Sequence, residues 1–187
     1  MSRVPAIDPA GLEGAGAELY AVYTTGERAA PGADFRLVDD LGRLTGPPAS
    51  WMLHPELGLA LEGLGGRVRF GLDLSPRQRE LVILAVAEAE DSDFERFAHH
   101  RAARRAGIDD AEIARLATGG YEPRDAGEAV LLELTADLLA GSDVADELWG
   151  RAEEQLGRRE VFEVVTLIGY YRMMALQLRA YRIRPPM

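Results

Sequence analysis

Apolar residues fill every position from Leu81 to Ala87, and the residues flanking that run supply helix ends. Ser75 suits a helix N-cap, Pro76 its first turn, and Gln78 the reciprocal position of a capping box. An acidic break over residues 88–93 interrupts the pattern. Ser92 and Glu95 then offer a second capping box, and Gly107 follows Arg104 and Arg105 as a helix stop. Residues 74–107 therefore read as two helices folded against each other across a tight acidic turn.

Helical periodicity extends along the rest of the chain. A helix is expected over residues 12–23, a linker over 26–32, and a short helix carrying Phe35, Leu37, Val38 and Leu41 that ends at Gly42. Thr45-Gly46-Pro47-Pro48 reads as a breaker. The His54-Pro55 step keeps His54 out of helical geometry and starts a helix at Pro55 that stops near Gly71. Gly58, Gly63, Gly65 and Gly66 each weaken that helix by about 1 kcal/mol relative to alanine, and close helix–helix approach would account for them. Asp109 with Glu112 and Asp125 with Glu128 open two more helices, closed at Gly119 and Gly141. Another spans about 144–156. The last, from Arg158 to about Tyr181, is apolar on almost every face, which predicts burial inside the domain or in a subunit interface. Arg172 interrupts it and must be paired or face a cavity. No segment has a convincing strand pattern, so the chain reads as a single all-α domain over residues 1–187, with an extended N-terminal arm over 1–9.

A chain of 187 residues buries roughly 70% of its unfolded surface and needs no staple. It contains no cysteine, which excludes disulfides, thiolate metal sites and thiol catalysis. All 21 basic side chains are arginine, so Schiff-base chemistry on lysine is excluded too. The net charge of −10 argues against nucleic acid or an anionic membrane as partner. That charge is uneven: from Arg158 onward six arginines face two glutamates. An anionic ligand would need a local arginine pocket. No segment reads as a run of ~20 apolar residues long enough for a membrane span, and the first thirty residues lack a secretory pattern, so the default location is cytoplasmic.

Candidate chemistry lies in the central hairpin. Glu80 stands ten residues before Glu90 at the turn, and His99 and His100 stand nine and ten after it. At about 1.5 Å per residue both lie roughly 14–15 Å from the turn, so an antiparallel pair brings Glu80 level with the histidines. A carboxylate and an imidazole at a core edge can perform acid–base chemistry, and they can equally form a structural hydrogen bond. Glu95 and His99 share a helix face four residues apart, but capping and ordinary pairing account for them and no metal site is assigned. Tyr170 and Tyr171 could carry hydroxyls to the same place or pack as core aromatics. His54 reads as a solvated loop residue. There is no dinucleotide-binding glycine motif, P-loop or H-E-x-x-H.

Residues 74–84 (Leu-Ser-Pro-Arg-Gln-Arg-Glu-Leu-Val-Ile-Leu), the segment Phe94-Glu95-Arg96-Phe97-Ala98-His99-His100, and Ala103, Ala106 and Gly107 beyond it resemble the carboxymuconolactone decarboxylase family, which shares the alkyl hydroperoxidase D-like fold. His54-Pro55-Glu56-Leu57 and residues 157–171 extend the resemblance. The peroxidase branch has a glutamate followed by C-x-x-C-x-x-x-H. Glu80 and His99 match its acid and histidine, whereas Ser92 and Glu95 occupy the two cysteine positions. Arg172 departs from the asparagine expected after the tyrosine pair. The resemblance implies an all-α bundle around a central antiparallel hairpin, self-association as a trimer or hexamer, and either thiol peroxidase or cofactor-free lyase or isomerase chemistry. Without cysteine the peroxidase option falls away. The expected function is decarboxylase-like acid–base catalysis on a small carboxylated or lactone substrate, with no cofactor. His99 would carry the proton and Glu80 would orient it, while Arg172 or Arg96 would hold a carboxylate. His100, Glu95 and Tyr170 complete the candidate substrate-binding set. A non-catalytic oligomeric binding protein of the same fold is the alternative.

Overall fold

A computed structural model describes residues 2–25, 37–141 and 143–186. Among them are nine helices and no named strand: α1 (Gly14–Thr24), α2 (Pro47–Trp51), α3 (Pro55–Phe70), α4 (Pro76–Ala89), α5 (Asp93–Arg105), α6 (Asp110–Thr118), α7 (Ala126–Ala140), α8 (Asp146–Leu156) and α9 (Arg158–Tyr181). Caps define their ends. Ser75 and Gln78 form both halves of their box, as do Asp109 and Glu112. His54 precedes α3 with its ring accepting from the Leu57 N–H, while its side chain stays exposed.

Helix α4 lies at the centre because its run over residues 81–87 is apolar on every side. It packs against α5, α6, α7 and α9 and buries Leu81, Val82, Ile83, Leu84, Val86 and Ala87. On one flank α1 and α2 pack on α3; on the other α7, α8 and α9 pack together. The glycines of α3 divide by environment. A methyl group at Gly58 would come within 2.8 Å of Leu19 and Trp51, and one at Gly65 within 2.4 Å of the Tyr170 hydroxyl, so both positions need the close approach. Gly63 and Gly66 face open space.

Four expectations change. Among the described residues 37–42 the short helix ending at Gly42 is absent: Asp39 accepts from the N–H groups of Leu41 and Arg43, and an antiparallel bridge joins Val38 to Leu44. Local Asp–backbone bonding outcompetes a helix there. Phe35 and the 26–32 linker lie outside the described residues. The Gly46-Pro47-Pro48 breaker itself opens a helix, α2, because proline suits a first turn. Helix α9 is buried on one face only. Val161, Val164, Leu167, Ile168, Tyr171, Met174 and Leu178 face the core, while Phe162, Val165 and Leu176 are exposed. By length and hydropathy α9 does meet the measure of a membrane span, contrary to the sequence reading; 56% of that window is buried within the protein, as in a core helix. The N-terminal arm runs to the end of α9, where the Arg3 N–H donates to the Tyr181 carbonyl at 2.8 Å and its guanidinium to that of Ala180 at 3.0 Å.

Candidate active site

Glu80 lies in the second turn of α4 and is 2% exposed. The tight turn between α4 and α5 reverses the chain, so His99, in the second half of α5, reaches it: His99 Nδ1 is 2.8 Å from Glu80 Oε2. The other carboxylate oxygen accepts from Arg79 Nε at 3.3 Å, and Arg79 is itself anchored by Nη1 donating to the Arg69 carbonyl at 2.6 Å. On the far side of the imidazole, Glu95 Oε2 lies 3.5 Å from Nε2. Glu95 fills only half of its expected capping box. Ser92 Oγ accepts from the Glu95 N–H, but the buried carboxylate turns to His99 instead of returning to the Ser92 backbone. The Tyr171 ring closes the arrangement edge-on, 5.0 Å from the imidazole centroid at 86°.

Electrostatics give these groups distinct states. Burial works against a charged imidazole, but the Glu80 hydrogen bond and charge, with the charge of Glu95, outweigh it and raise the His99 pKa above its ordinary value. Burial raises the Glu95 carboxyl; nearby Glu80 pushes the same way, and His99 only partly opposes them. The phenol of Tyr171 is raised well above its usual value by burial and by the two carboxylates. The site thus combines an imidazole oriented through Nδ1 and biased toward its protonated form, a carboxyl group that resists ionisation beside Nε2, and a protonated phenol.

These groups line a cleft of about 720 Å³. Trp51, Phe70, Phe94 and Met174 form its apolar surface, and Glu62, Arg69, Arg79 and Arg105 add charge. Among the described residues no group of three or more Asp, Glu or His side chains is arranged to hold a metal ion.

Four expected site residues, Glu80, Glu95, His99 and Tyr170, line this cleft. Tyr170 directs its hydroxyl toward the Leu61 carbonyl at 3.4 Å. Three others do not. His100, rotated about 100° from His99 by one residue of helix, meets Asp110 at 3.2 Å. Arg96 is taken up by Glu88, Asp91 and Asp93 at the α4–α5 turn. Arg172 sits on the exposed face of α9 and pairs with Glu90 at 2.8 Å, so it supplies no charge to the cleft. The sequence reading missed Arg69, Arg79, Arg105 and Glu62. Adjacency to Glu80 was a signal for Arg79; nothing local marked the others, which arrive from α3 and the end of α5.

Residues 55–135 match the model of the carboxymuconolactone decarboxylase family. Two solved structures have similar folds, each at 18% identity over 74% of this chain. One is a protein of unknown function from Agrobacterium tumefaciens, described as a candidate antioxidant defence protein AhpD, of which 96% is covered at a TM-score of 0.67. The other is an uncharacterized peroxidase-related protein from Silicibacter sp. TM1040, of which 74% is covered at a TM-score of 0.66. No curated protein matches the sequence significantly. The matched region contains α3 to α6 and most of α7, and with them Glu80, Glu95 and His99. Residues 55–135 are thus similar to the carboxymuconolactone decarboxylase family, and the chain, which contains no cysteine, has the AhpD-like all-α fold.

Proposed function

We propose that the protein is a cofactor-independent acid–base lyase or isomerase acting on a small carboxylated or lactone substrate. The observation that carries this reading is His99 held between Glu80 and Glu95 on the wall of a cleft large enough for such a molecule. In a decarboxylation the C–C bond to the carboxylate breaks, CO₂ departs, and the electron pair remains as a dienolate that must take a proton on carbon. Glu80 engages Nδ1, which makes Nε2–H, 3.5 Å from Glu95 Oε2, the proton to be delivered. A raised His99 pKa favours the ring that carries this proton. Arg69, Arg79 and Arg105 are the cleft cations suited to a substrate carboxylate, in place of Arg96 and Arg172. Self-association belongs to the same reading: the exposed apolar residues of α9 are suited to a second copy of the chain.

The test is CO₂ release and loss of carboxymuconolactone absorbance with the purified full chain. Turnover is expected from the wild type, reduced roughly 10²–10⁴-fold in His99→Ala. Absence of turnover across a panel of carboxylated lactones would sink the lyase reading. One observation favours a non-catalytic alternative: both Glu80 oxygens are already engaged, by Arg79 and His99. Tight binding of such lactones without conversion would establish a binding protein.

A further inference from the structure

Two buried side-chain atoms among the described residues lack a hydrogen-bond partner: the Tyr171 hydroxyl and Arg69 Nε. Both can donate, and both residues line the cleft that contains His99. Buried polar groups are normally satisfied, so two unpaired donors on one cleft call for a ligand that accepts. Tyr171 is 3% exposed, and its ring packs against both His99 and Tyr170. Its neighbour Tyr170 does have an acceptor, the Leu61 carbonyl at 3.4 Å. The contrast separates two adjacent tyrosines of the same helix: one hydroxyl is committed to the fold and the other is not.

We propose that Tyr171 is a catalytic residue that donates a hydrogen bond to the oxyanion formed as the substrate reacts at His99, and that the cleft therefore takes ligands presenting an anionic oxygen beside the imidazole. This rests on the acid–base reading of the site. A dienolate carries its charge on oxygen while His99 delivers a proton to carbon, so the reaction needs a donor distinct from His99. Arg69 Nε–H, unpaired on the same cleft, suits a second acceptor group of the ligand. The phenol is suited to its role because burial and the two glutamates keep it protonated, so it remains a donor beside an anion.

The probe is 4-nitrophenolate, a planar oxyanion whose visible absorption responds to hydrogen bonding, compared with neutral nitrobenzene of nearly the same shape. Both are titrated into the protein at a pH where 4-nitrophenol is ionised and Tyr171 is not. Wild type is expected to bind the phenolate more tightly than nitrobenzene. Tyr171→Phe is expected to weaken phenolate binding roughly 10- to 100-fold, with nitrobenzene binding unchanged. Because the replaced hydroxyl has no partner in the fold, the melting temperature of this variant should be unchanged or higher. Tyr20→Phe, which removes a hydroxyl outside the cleft that donates to the Gly42 carbonyl, serves as comparison and should retain the preference for phenolate. An equal loss for both probes, or phenolate binding no tighter than nitrobenzene binding in the wild type, would overturn the assignment. Since probe binding requires no turnover, its outcome is separable from that of the lyase reading. Phenolate discrimination without lactone turnover would leave the donor standing and remove the reaction. Turnover with no discrimination would do the reverse.

Discussion

At the scale of single residues, the imidazole and its two carboxylates decide both chemistry and pH response. If Glu80 acts by orienting His99, the two form one unit. Glu80→Gln should slow turnover, and the double variant should be little worse than His99→Ala alone; strictly multiplicative losses would separate their roles. The pH dependence of stability follows from the signs of the shifts. His99 is raised, so its contribution is present below its unfolded value of 6.5 and is lost as pH rises through the folded value. Glu95 is also raised, so the unfolded chain releases that proton first and the folded state loses ground as pH climbs above 4.5. On the acid side Glu112, held down to about 2 chiefly by its hydrogen bond from Arg77, contributes above 4.5 and ceases to as pH falls toward 2. The melting temperature should therefore fall in both directions. Glu95→Gln should flatten the decline above pH 4.5 while leaving the acid limb intact, as a thermal melt at each pH will show.

At the scale of elements, contacts of different kinds fix the two flanks of the bundle. Where α4 meets α6 and α7, an ionic cluster supplements the apolar packing of Leu81 and Leu84. Arg77 reaches Glu128 at 2.6 Å, Glu112 and the Tyr121 hydroxyl at 2.7 Å, and the Gly107 carbonyl at 2.5 Å, with all three ionic side chains largely buried. Arg77→Met would leave the buried Glu128 without its cation while Glu112 keeps Arg124, and chemical denaturation should show a loss of about 3–5 kcal/mol. A loss under 1 kcal/mol would mean that water repairs the site. On the opposite flank the approach of α3 to α9 depends on missing side chains. Gly65→Ala drives a methyl group against the Tyr170 hydroxyl and should cost about 1–3 kcal/mol. Gly63→Ala in the same helix meets nothing and should stabilise by about 1 kcal/mol. Equal effects from the two would refute the close-packing account.

At the scale of the whole molecule, α9 offers two different faces. Its inner face completes the core, while Phe162 (70% exposed), Val165 and Leu176 lie outside. Grouped apolar exposure of this kind favours association. The oligomer proposed above should appear in light scattering at micromolar concentration as a mass above the 20.4 kDa chain. Phe162→Asp should shift it toward the monomer. A wild-type monomer at that concentration would remove self-association from the proposal.

Helix ends were legible in the sequence because caps are local: a Ser or Asp and the acid or amide three residues later decide them without distant help. The meeting of Glu80 and His99 was legible for a related reason, since one short turn sets the register of an antiparallel pair. The same logic misread residues 37–44, where Asp39 satisfies its own neighbours, and overfilled the capping role of Glu95, whose carboxylate is drawn to His99. Only the tertiary structure decided which polar groups reach the cleft. A helix turns about 100° per residue, so His100 leaves the site that His99 enters, and Arg172 leaves the face that Tyr171 occupies. Arg69 arrives from α3, distant in sequence from both. The direction of the His99 shift also lay beyond sequence, because burial and two carboxylates from different helices oppose one another and only their positions determine which prevails.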